Sequence, residues 1–223
     1  MPTLFIVATP IGNLEDITLR ALRILKEVDL ILAEDTRVTQ KLLRQYEIKK
    51  PVLRYDEHVA ERTHARVVSE LEKGKSIALV SDAGTPGISD PGVRLAAYVQ
   101  EHAPEVSIVP IPGPSAITTA LSVAGISANE FTFLGYPPHK KGRKTFFESV
   151  RNIEIRPVVL YESPHRLQKT FAGIAEAMGE DTKLVVAKEL TKMYEEIWHG
   201  SLKEAAAYFQ KEKGKGEFVI ILL

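Results

Sequence analysis

The sequence predicts an α/β protein with two α/β domains, residues 1–124 and residues 125–223. In the first domain, short β-branched or apolar runs alternate with amphipathic helical patterns, which is typical of a doubly wound, mostly parallel sheet. In the second domain, the predicted strands 183–189 and 196–200 follow one another directly, which favours a mixed sheet. The stretch 125–130 is the predicted linker.

The first domain alternates strands and helices throughout. The strands are predicted at residues 4–8, 30–34, 52–55, 76–81 and 106–111. The helices are predicted at residues 18–28, 39–46, 59–73, from 90 onward and 115–124. Thr18 and the pair Asp90-Pro91 are expected to cap helix starts, and Gly74 to follow a helix end. Four aliphatic residues of the first helix recur every three positions, which predicts one shared side: Leu19, Leu22, Leu25 and Val28.

The second domain contains fewer helices between its strands. Its strands are predicted at residues 157–161, 183–189, 196–200 and 218–222. Its helices are predicted near 144–151, at 163–178 and after Ser201. Ser201 and Glu204 have the spacing of a capping box, in which each side chain bonds the other residue's backbone N–H.

Composition restricts the class of protein. Hydrophobic residues make up 44% and charged residues 26% of the 223 residues, which is typical of a globular protein with a core. The absence of cysteine excludes disulfides, thiolate metal sites and cysteine nucleophiles, and fits a reduced, cytoplasmic environment. The apolar run near the N-terminus is too short for a signal peptide or a membrane span, so we expect a soluble protein.

The charges cancel overall but are unevenly distributed. The 29 basic and 29 acidic residues give zero net charge, whereas nucleic-acid-binding surfaces are usually basic. Residues 36–54 nevertheless have an excess of five positive charges and residues 138–166 an excess of four. Each stretch is either a solvated helix face or part of an anion-binding surface. The six histidines lack metal-ligand spacing, so no metal site is predicted.

Three loops rich in glycine and proline follow predicted strands and precede helices, at residues 8–13, 81–92 and 111–116. In an open parallel sheet this carboxyl edge is where ligands bind. The dinucleotide fingerprint is missing, because the first loop has Gly12 alone. The P-loop is missing too, since Gly74-Lys75-Ser76 precedes a strand instead of following one. The loops therefore predict a small-molecule site of another kind, in preference to three unrelated tight turns.

Six segments together indicate a family. They are ATPIGNLEDIT (8–18), AEDTR (33–37), SDAGTPGISDPG (81–92), PIPGPSA (110–116), YESPHR (161–166) and GEFVIIL (216–222). With these segments in this order, the chain resembles the tetrapyrrole-methylase superfamily over essentially its whole length. Within it, the chain is most similar to the branch that methylates ribosomal RNA. The resemblance implies the tetrapyrrole-methylase fold, an S-adenosylmethionine pocket in the cleft between the two domains, and a homodimer.

The resemblance also implies which residues contact S-adenosylmethionine. Pro10 comes from the first loop, and the other positions come from the later loops and the second domain: Ala83, Gly84, Thr85, Ile88, Ser115, Ala116, Glu162 and Leu190. The chain departs from the tetrapyrrole enzymes at their entry motif, Gly-x-Gly-x-Gly-Asp, where Gly12 occupies the aspartate position. This departure favours ribosomal RNA over a tetrapyrrole as substrate.

Methyl transfer to a ribose 2′-hydroxyl requires positioning and a base that removes the hydroxyl proton. The candidate bases are Lys188, Asp35 and Glu189. Phosphate contacts are expected from Arg37 and Arg166. Further RNA contacts are expected in the loop 136–144, which joins the aromatic Tyr136 to basic groups: Lys140, Lys141, Arg143 and Lys144. His165, in the first turn of the helix predicted from residue 163, is a further expected RNA contact. The alternatives are a mobile surface loop and a structural role for the histidine.

By this resemblance, the expected activity is 2′-O-methylation of a decoding-site cytidine in small-subunit (16S) ribosomal RNA. The modest local charge favours the assembled 30S subunit over naked RNA as substrate. One alternative is a methyltransferase acting on a tetrapyrrole or precorrin. Another is a non-catalytic RNA-binding module.

Overall fold

The structure is a computed structural model that describes residues 1–56, 60–89, 92–211 and 216–223. The chain forms two compact units, Met1–Ser115 and Ala116–Leu223. The predicted domain boundary lies after Ala124, at the end of a helix that contacts the last strand of the second unit. That boundary stays a prediction. The predicted cap Asp90-Pro91 lies outside the described residues.

The first unit contains a parallel sheet of five strands with helices on both faces. Its elements in chain order are β1 (Thr3–Val7), α1 (Leu19–Glu27), β2 (Leu30–Ala33), α2 (Thr36–Gln45), β3 (Val52–Arg54), α3 (Ala60–Glu72), β4 (Ser76–Val80), α4 (Gly92–His102) and β5 (Ser107–Ile111). The strand order is β3-β2-β4-β1-β5. Helices α1 and α2 pack on one face of the sheet, and α3 and α4 pack on the other. The predicted doubly wound sheet is confirmed.

The second unit contains a mixed sheet of strand order β6-β7-β10-β8-β9. Its elements are α5 (Ala116–Val123), β6 (Thr132–Phe133), α6 (Arg143–Arg151), β7 (Val158–Glu162), α7 (Leu167–Met178), β8 (Lys183–Lys188), β9 (Glu196–Ser201), α8 (Leu202–Tyr208) and β10 (Phe218–Leu222). Strands β6 and β7 pair in parallel, whereas β10 pairs antiparallel with β7 and β8, and β8 with β9. Helices α6, α7 and α8 cover one face of this sheet. The predicted mixed sheet is confirmed.

Several predicted helix ends are confirmed by their hydrogen bonds. The Thr18 hydroxyl accepts the Ala21 N–H at 3.0 Å and begins α1. Ser201 and Glu204 form both bonds of the capping box that begins α8. Gly74 follows α3 with φ +85°, a left-handed conformation that costs glycine little.

The structure corrects the predicted buried side of α1. Leu19 is 86% exposed, whereas Ala21, Ile24 and Leu25 are buried. Successive residues turn by about 100° around a helix, so a strict three-residue repeat drifts by about 60° at each step. Leu19 lies two such steps before Leu25, so the two side chains are about 120° apart around the helix axis. Leu19 therefore lies outside the buried face.

Two predicted helix starts are also corrected. Helix α2 begins at Thr36 and not at 39, because the Asp35 carboxylate accepts the Arg37 N–H at 2.8 Å and caps an earlier turn. Helix α7 begins at Leu167 and not at 163. The Ser163 N–H donates to the Glu162 carboxylate, and a separate turn precedes the helix.

Gly173 on α7 provides a test of this packing. A Cβ at this position would lie 2.5 Å from the Phe147 ring of α6, which is buried. Helix propensity alone predicts that Gly173→Ala stabilises the protein by about 1 kcal/mol. Overpacking costs about 1–3 kcal/mol, so we expect a net loss in the free energy of unfolding measured with urea. In a Phe147→Leu background the same substitution should be tolerated. A stabilised Gly173→Ala protein would show that the two helices separate easily.

Candidate functional site

The first two glycine- and proline-rich loops are joined by backbone hydrogen bonds at the carboxyl edge of the parallel sheet. Thr9 and Gly84 exchange two N–H···O bonds of 2.9 and 3.0 Å. The Thr9 hydroxyl also donates to the Ser81 carbonyl at 3.1 Å. The Ser81 hydroxyl in turn donates to the Gly84 carbonyl at 3.1 Å. These hydrogen bonds hold the backbones of the two loops together.

The third loop lies against the same edge. The Thr85 hydroxyl donates to the Pro114 carbonyl at 3.4 Å. A Cβ on Gly113 would lie 2.9 Å from the Cβ of Ala8, so glycine is required where this loop passes the first one. Gly84 adopts φ +79°, which disfavours any side chain there. The three loops thus meet at one edge, and close backbone approach depends on these two glycines.

The predicted cofactor residues of this edge fall into two groups. Pro10 and Gly84 are buried and shape the loops. The others expose at least part of their surface: Ala83, Thr85, Ile88 and Ser115. Ile88 is a large apolar side chain with 46% of its surface exposed. An exposed apolar side chain at the carboxyl edge of a parallel sheet is suited to contact with an organic ligand.

The sheet has a topological switch point between β2 and β4. The connection after β2 leads to α2 on one face, whereas the connection after β4 leads to α4 on the other face. Connections that diverge in this way leave a crevice at the carboxyl ends of the two strands. The crevice is bridged by the Asp35 N–H, which donates to Asp82 Oδ1 at 2.9 Å. Burial raises the pKa of the Asp82 carboxyl above its ordinary value.

Asp35 is placed to cap a helix and to bind a neighbouring cation. Its carboxylate accepts Nη2 of Arg37 at 2.6 Å and Nε at 3.0 and 3.1 Å. Hydrogen bonds from Arg37 lower the pKa of Asp35 to about 2. A carboxylate with so low a pKa is a weak base, which argues against the predicted role of Asp35 in deprotonation. Arg37 keeps 86% of its side chain exposed and remains open to a phosphate.

A buried carboxylate organises the second unit. The Glu162 side chain lies at the end of β7 with no exposed surface. Its oxygens accept the Ser163 N–H at 2.8 Å and the Thr170 hydroxyl. Nε of Arg166 lies 3.4 Å away and Nη2 of Arg143 lies 3.9 Å away. Two guanidinium groups therefore compensate one buried negative charge.

Arg143 and Arg166 also bind the loop that precedes α6. Nη1 of Arg143 donates to the Pro138 carbonyl at 2.9 Å. Arg166 donates to the carbonyl oxygens of Pro137 and Pro138. Only 16% of the Arg143 side chain and 15% of the Arg166 side chain are exposed. Both were predicted to contact RNA, Arg166 through a phosphate, but in the structure their hydrogen bonds shape the loop before α6.

The remaining predicted RNA contacts are exposed: Lys140, Lys141, Lys144 and His165. The cluster that Glu162 forms with Arg143 and Arg166 was not identified from the sequence. Its available signal was the four-residue spacing of Glu162 and Arg166 in YESPHR, which is also the spacing of a helical ion pair. Here Glu162 ends a strand, so the pair bridges a strand end and a turn.

Lys188 lies in a row of side chains across the mixed sheet. Phe218 of β10 pairs directly with Glu162 on one side and Lys188 on the other. Lys188 pairs in turn with Glu196 of β9, and its Nζ lies 4.0 Å from that carboxylate. Paired residues project from the same face, and Phe218 belongs to the core under the helices. Only 14% of the Lys188 side chain is exposed.

The residues after Lys188 form a constrained turn. Glu189 adopts φ +49°, a left-handed conformation that costs a residue with a side chain energy. Its Oε1 accepts Nζ of Lys192 at 2.8 Å and the Glu217 N–H at 3.0 Å. Leu190 is buried. Strained backbone held by hydrogen bonds is frequent at functional sites.

In the described part of the chain, no cluster of histidine and carboxylate side chains could hold a metal ion. No helix in the same ranges is long and apolar enough to cross a membrane.

Comparison with known proteins adds a family and several relatives. A family model for tetrapyrrole (corrin/porphyrin) methylases matches residues 3–206. Proteins named ribosomal RNA small subunit methyltransferase I from Thermotoga maritima and Bacillus subtilis are 46% and 42% identical, each over 100% of this chain. The alignments cover 98% and 75% of those relatives, respectively. A relative of the same name from Synechocystis is 44% identical over 100% of this chain and 79% of its own length.

Solved structures of tetrapyrrole enzymes share the fold. Uroporphyrin-III C-methyltransferase from Thermus thermophilus superposes with a TM-score of 0.69 at 17% identity. Cobalt precorrin-4 methyltransferase superposes with a TM-score of 0.71 at 18% identity. Each comparison covers 99% of this chain and 94% of the other. This likeness concerns the fold alone, and it confirms the predicted tetrapyrrole-methylase fold.

The ion pair of Asp35 and Arg37 can be tested by titration. In Arg37→Ala, we expect the pKa of Asp35 to rise from about 2 toward its ordinary value of 3.8, measured by NMR of the carboxyl carbon. A carboxyl with a lowered pKa stabilises the fold above its ordinary pKa, and this stabilisation is lost as the pH falls through the lowered pKa. Any stability difference between wild type and Arg37→Ala should therefore shrink between about pH 4 and about pH 2. Lys41→Ala, on the same helix, should leave the titration of Asp35 unchanged.

Proposed function

The chain belongs to the tetrapyrrole (corrin/porphyrin) methylase family, whose methyl donor is S-adenosylmethionine, and we propose that it methylates small-subunit ribosomal RNA. The observation that supports this substrate is the pattern of similarity. Relatives named for small-subunit ribosomal RNA are 42–46% identical over the whole chain, whereas the tetrapyrrole enzymes with the same fold are 17–18% identical. The substrate class follows the closer sequences, because one fold serves several substrates.

We further propose the ribose 2′-oxygen of a decoding-site cytidine in 16S RNA as the methyl acceptor, within the assembled 30S subunit. When bound, S-adenosylmethionine supplies an electrophilic methyl group on a sulfonium. The transfer is an in-line displacement, so the main task of the protein is to hold the two reactants in line and close together. The basic charge is confined to local stretches of a chain with zero net charge. This modest charge favours the assembled subunit over naked RNA as the substrate.

The loop edge of the first unit fits the donor. Gly84 and Gly113 allow close backbone approach, and Ala83 and Ile88 present apolar surface. We propose that these loops hold S-adenosylmethionine through the residues that the family resemblance implies: Pro10, Ala83, Gly84, Thr85, Ile88 and Ser115. From the second unit the proposal includes Ala116, Glu162 and Leu190. The Glu162 carboxylate is fully engaged within the protein, so its part is to hold the neighbouring backbone in place.

Lys188 is the first candidate for the group that accepts the hydroxyl proton. It lies at the end of a buried strand, directly before the strained Glu189. Glu189 is the second candidate, although its carboxylate already binds Lys192. Asp35 is the third, because its lowered pKa makes its carboxylate a weak base.

RNA contacts are proposed for the exposed basic side chains. Arg37 lies at the switch-point crevice, and the others lie in or near the loop that Arg143 and Arg166 shape: Lys140, Lys141, Lys144 and His165. These contacts position the RNA and contribute affinity without reading its sequence. By the family resemblance we propose a homodimer acting in the cytoplasm, where the ribosomal substrate is located.

A tetrapyrrole or precorrin substrate is the second candidate function, and its support is the shared fold. A methyl-transfer assay with radiolabelled S-adenosylmethionine separates the two candidates. Unmethylated 30S subunits, free 16S RNA and a precorrin mixture are offered in parallel. We expect label in the RNA of the subunits, recovered as an alkali-resistant dinucleotide, which is diagnostic of a 2′-O-methyl group. Label in precorrins alone would refute the RNA proposal, and undetectable binding of S-adenosylmethionine by calorimetry would favour a non-catalytic RNA-binding module.

The role of Lys188 can be tested with a matched control on the same strand. We expect Lys188→Ala to lower kcat at saturating RNA by about 10²–10⁴-fold, the usual contribution of a positioned base. Lys183→Ala, at the exposed start of β8, should leave kcat unchanged. Unchanged turnover in Lys188→Ala would exclude this lysine, and the same assay on Glu189→Gln and Asp35→Asn would then separate the other two.

A further inference from the structure

An open groove runs between α6 and α7 on the second unit. Its volume is about 690 Å³. Its uncharged lining residues are Phe147, Asn152, Ala172, Gly173 and Ala177. Because a Cβ on Gly173 would overlap the Phe147 ring, the missing side chain allows the close packing of α6 against α7.

The lining of the groove is positively charged. Five basic side chains and two carboxylates contribute to it: Lys140, Arg143, Lys144, Arg151 and Lys169 against Glu148 and Glu176. This excess of three positive charges occurs in a chain with zero net charge. Such a local excess attracts anions even where the whole protein is neutral.

Two of these cations are already used by the protein. Arg143 is held by Glu162 and lies over the Phe147 ring at 5.1 Å. Lys144 forms an ion pair of 2.9 Å with Glu176 of α7. Nη2 of Arg143 also donates to the Thr170 hydroxyl of α7 at 2.6 Å. Both cations therefore join α6 to α7 and help to fix the groove's shape.

The other three cations have no such use. Lys140, Arg151 and Lys169 are exposed, and their side chains make no ion pair or hydrogen bond in the part of the chain that the structure describes. Cations clustered around a groove repel one another, and an anionic ligand relieves that repulsion. An extended polyanion can contact all three at once, unlike a single small anion.

We propose that this groove binds the phosphate backbone of the ribosomal RNA substrate, with Lys140, Arg151 and Lys169 as its phosphate contacts. This inference rests on the proposed function and adds a binding surface beyond the predicted contacts, since Arg151 and Lys169 belong to neither the loop nor the family motifs. Contacts from lysine and arginine to phosphate position a nucleic acid without reading its sequence. The groove therefore contributes affinity and orientation, and leaves the choice of nucleotide to the methylation site.

The test compares two double charge reversals of equal size. Arg151→Glu with Lys169→Glu alters the groove, whereas Lys26→Glu with Lys203→Glu alters exposed lysines outside it. Binding of a 16S RNA fragment is measured by fluorescence anisotropy over a range of salt concentrations. For the groove variant we expect affinity to fall by at least about tenfold, and the negative slope of log K against log[salt] to become shallower by about 2. The control should resemble wild type.

Kinetics provide a second readout. In the groove variant KM for RNA should rise, while kcat at saturating RNA and the affinity for S-adenosylmethionine should stay unchanged, because the groove does not touch the reacting atoms. Arg151→Gln with Lys169→Gln should give a weaker effect in the same direction. Equal affinity and salt slope in the groove and control variants would overturn the proposal. If wild type binds RNA through the groove but transfers no methyl group to it, the methylation proposal fails and the groove proposal stands.

Discussion

Burial of both faces of the parallel sheet is the constraint on which the first unit depends. Helices α1 and α2 cover one face and α3 and α4 the other, so that the central strands are enclosed on both sides. Burying this much apolar surface is the main favourable contribution to folding, at about 25 cal/mol per Å². With both faces enclosed, a ligand can approach only at the edges, and parallel strands bring all their carboxyl ends to one edge. The loops that follow β1, β4 and β5 meet there for this reason.

The second unit depends on a different interaction, the buried carboxylate of Glu162. An isolated buried charge is strongly unfavourable, and removing one partner of a buried ion pair typically costs about 3–5 kcal/mol. Glu162 is compensated by Arg143, Arg166, Thr170 and a backbone N–H. The same arginines donate to carbonyl groups of Pro137 and Pro138. Compensation of one charge thus determines the shape of the loop that presents the exposed lysines.

Charge in this protein has two separate uses. Some basic side chains, such as Arg143 and Lys144, are paired and join structural elements. Others, such as Arg151 and Lys169, are exposed beside an open groove and are proposed to bind phosphate. A count of charges along the chain does not distinguish these uses, because pairing depends on residues that are distant in sequence. The zero net charge is therefore compatible with a local RNA-binding surface.

The sequence by itself determined the fold class, the two kinds of sheet, several helix caps and the three loops at one edge. These features depend on local patterns: alternation of apolar runs, capping residues such as Thr18 and Ser201, and glycines where a chain turns. Only the tertiary structure decided that Leu19 faces solvent, that Arg143 and Arg166 point inward, and that α6 and α7 leave a basic groove. The orientation of a side chain depends on what packs against it, and for these residues the partners come from other elements of the fold. Local sequence patterns do not identify those partners, because they are distant along the chain.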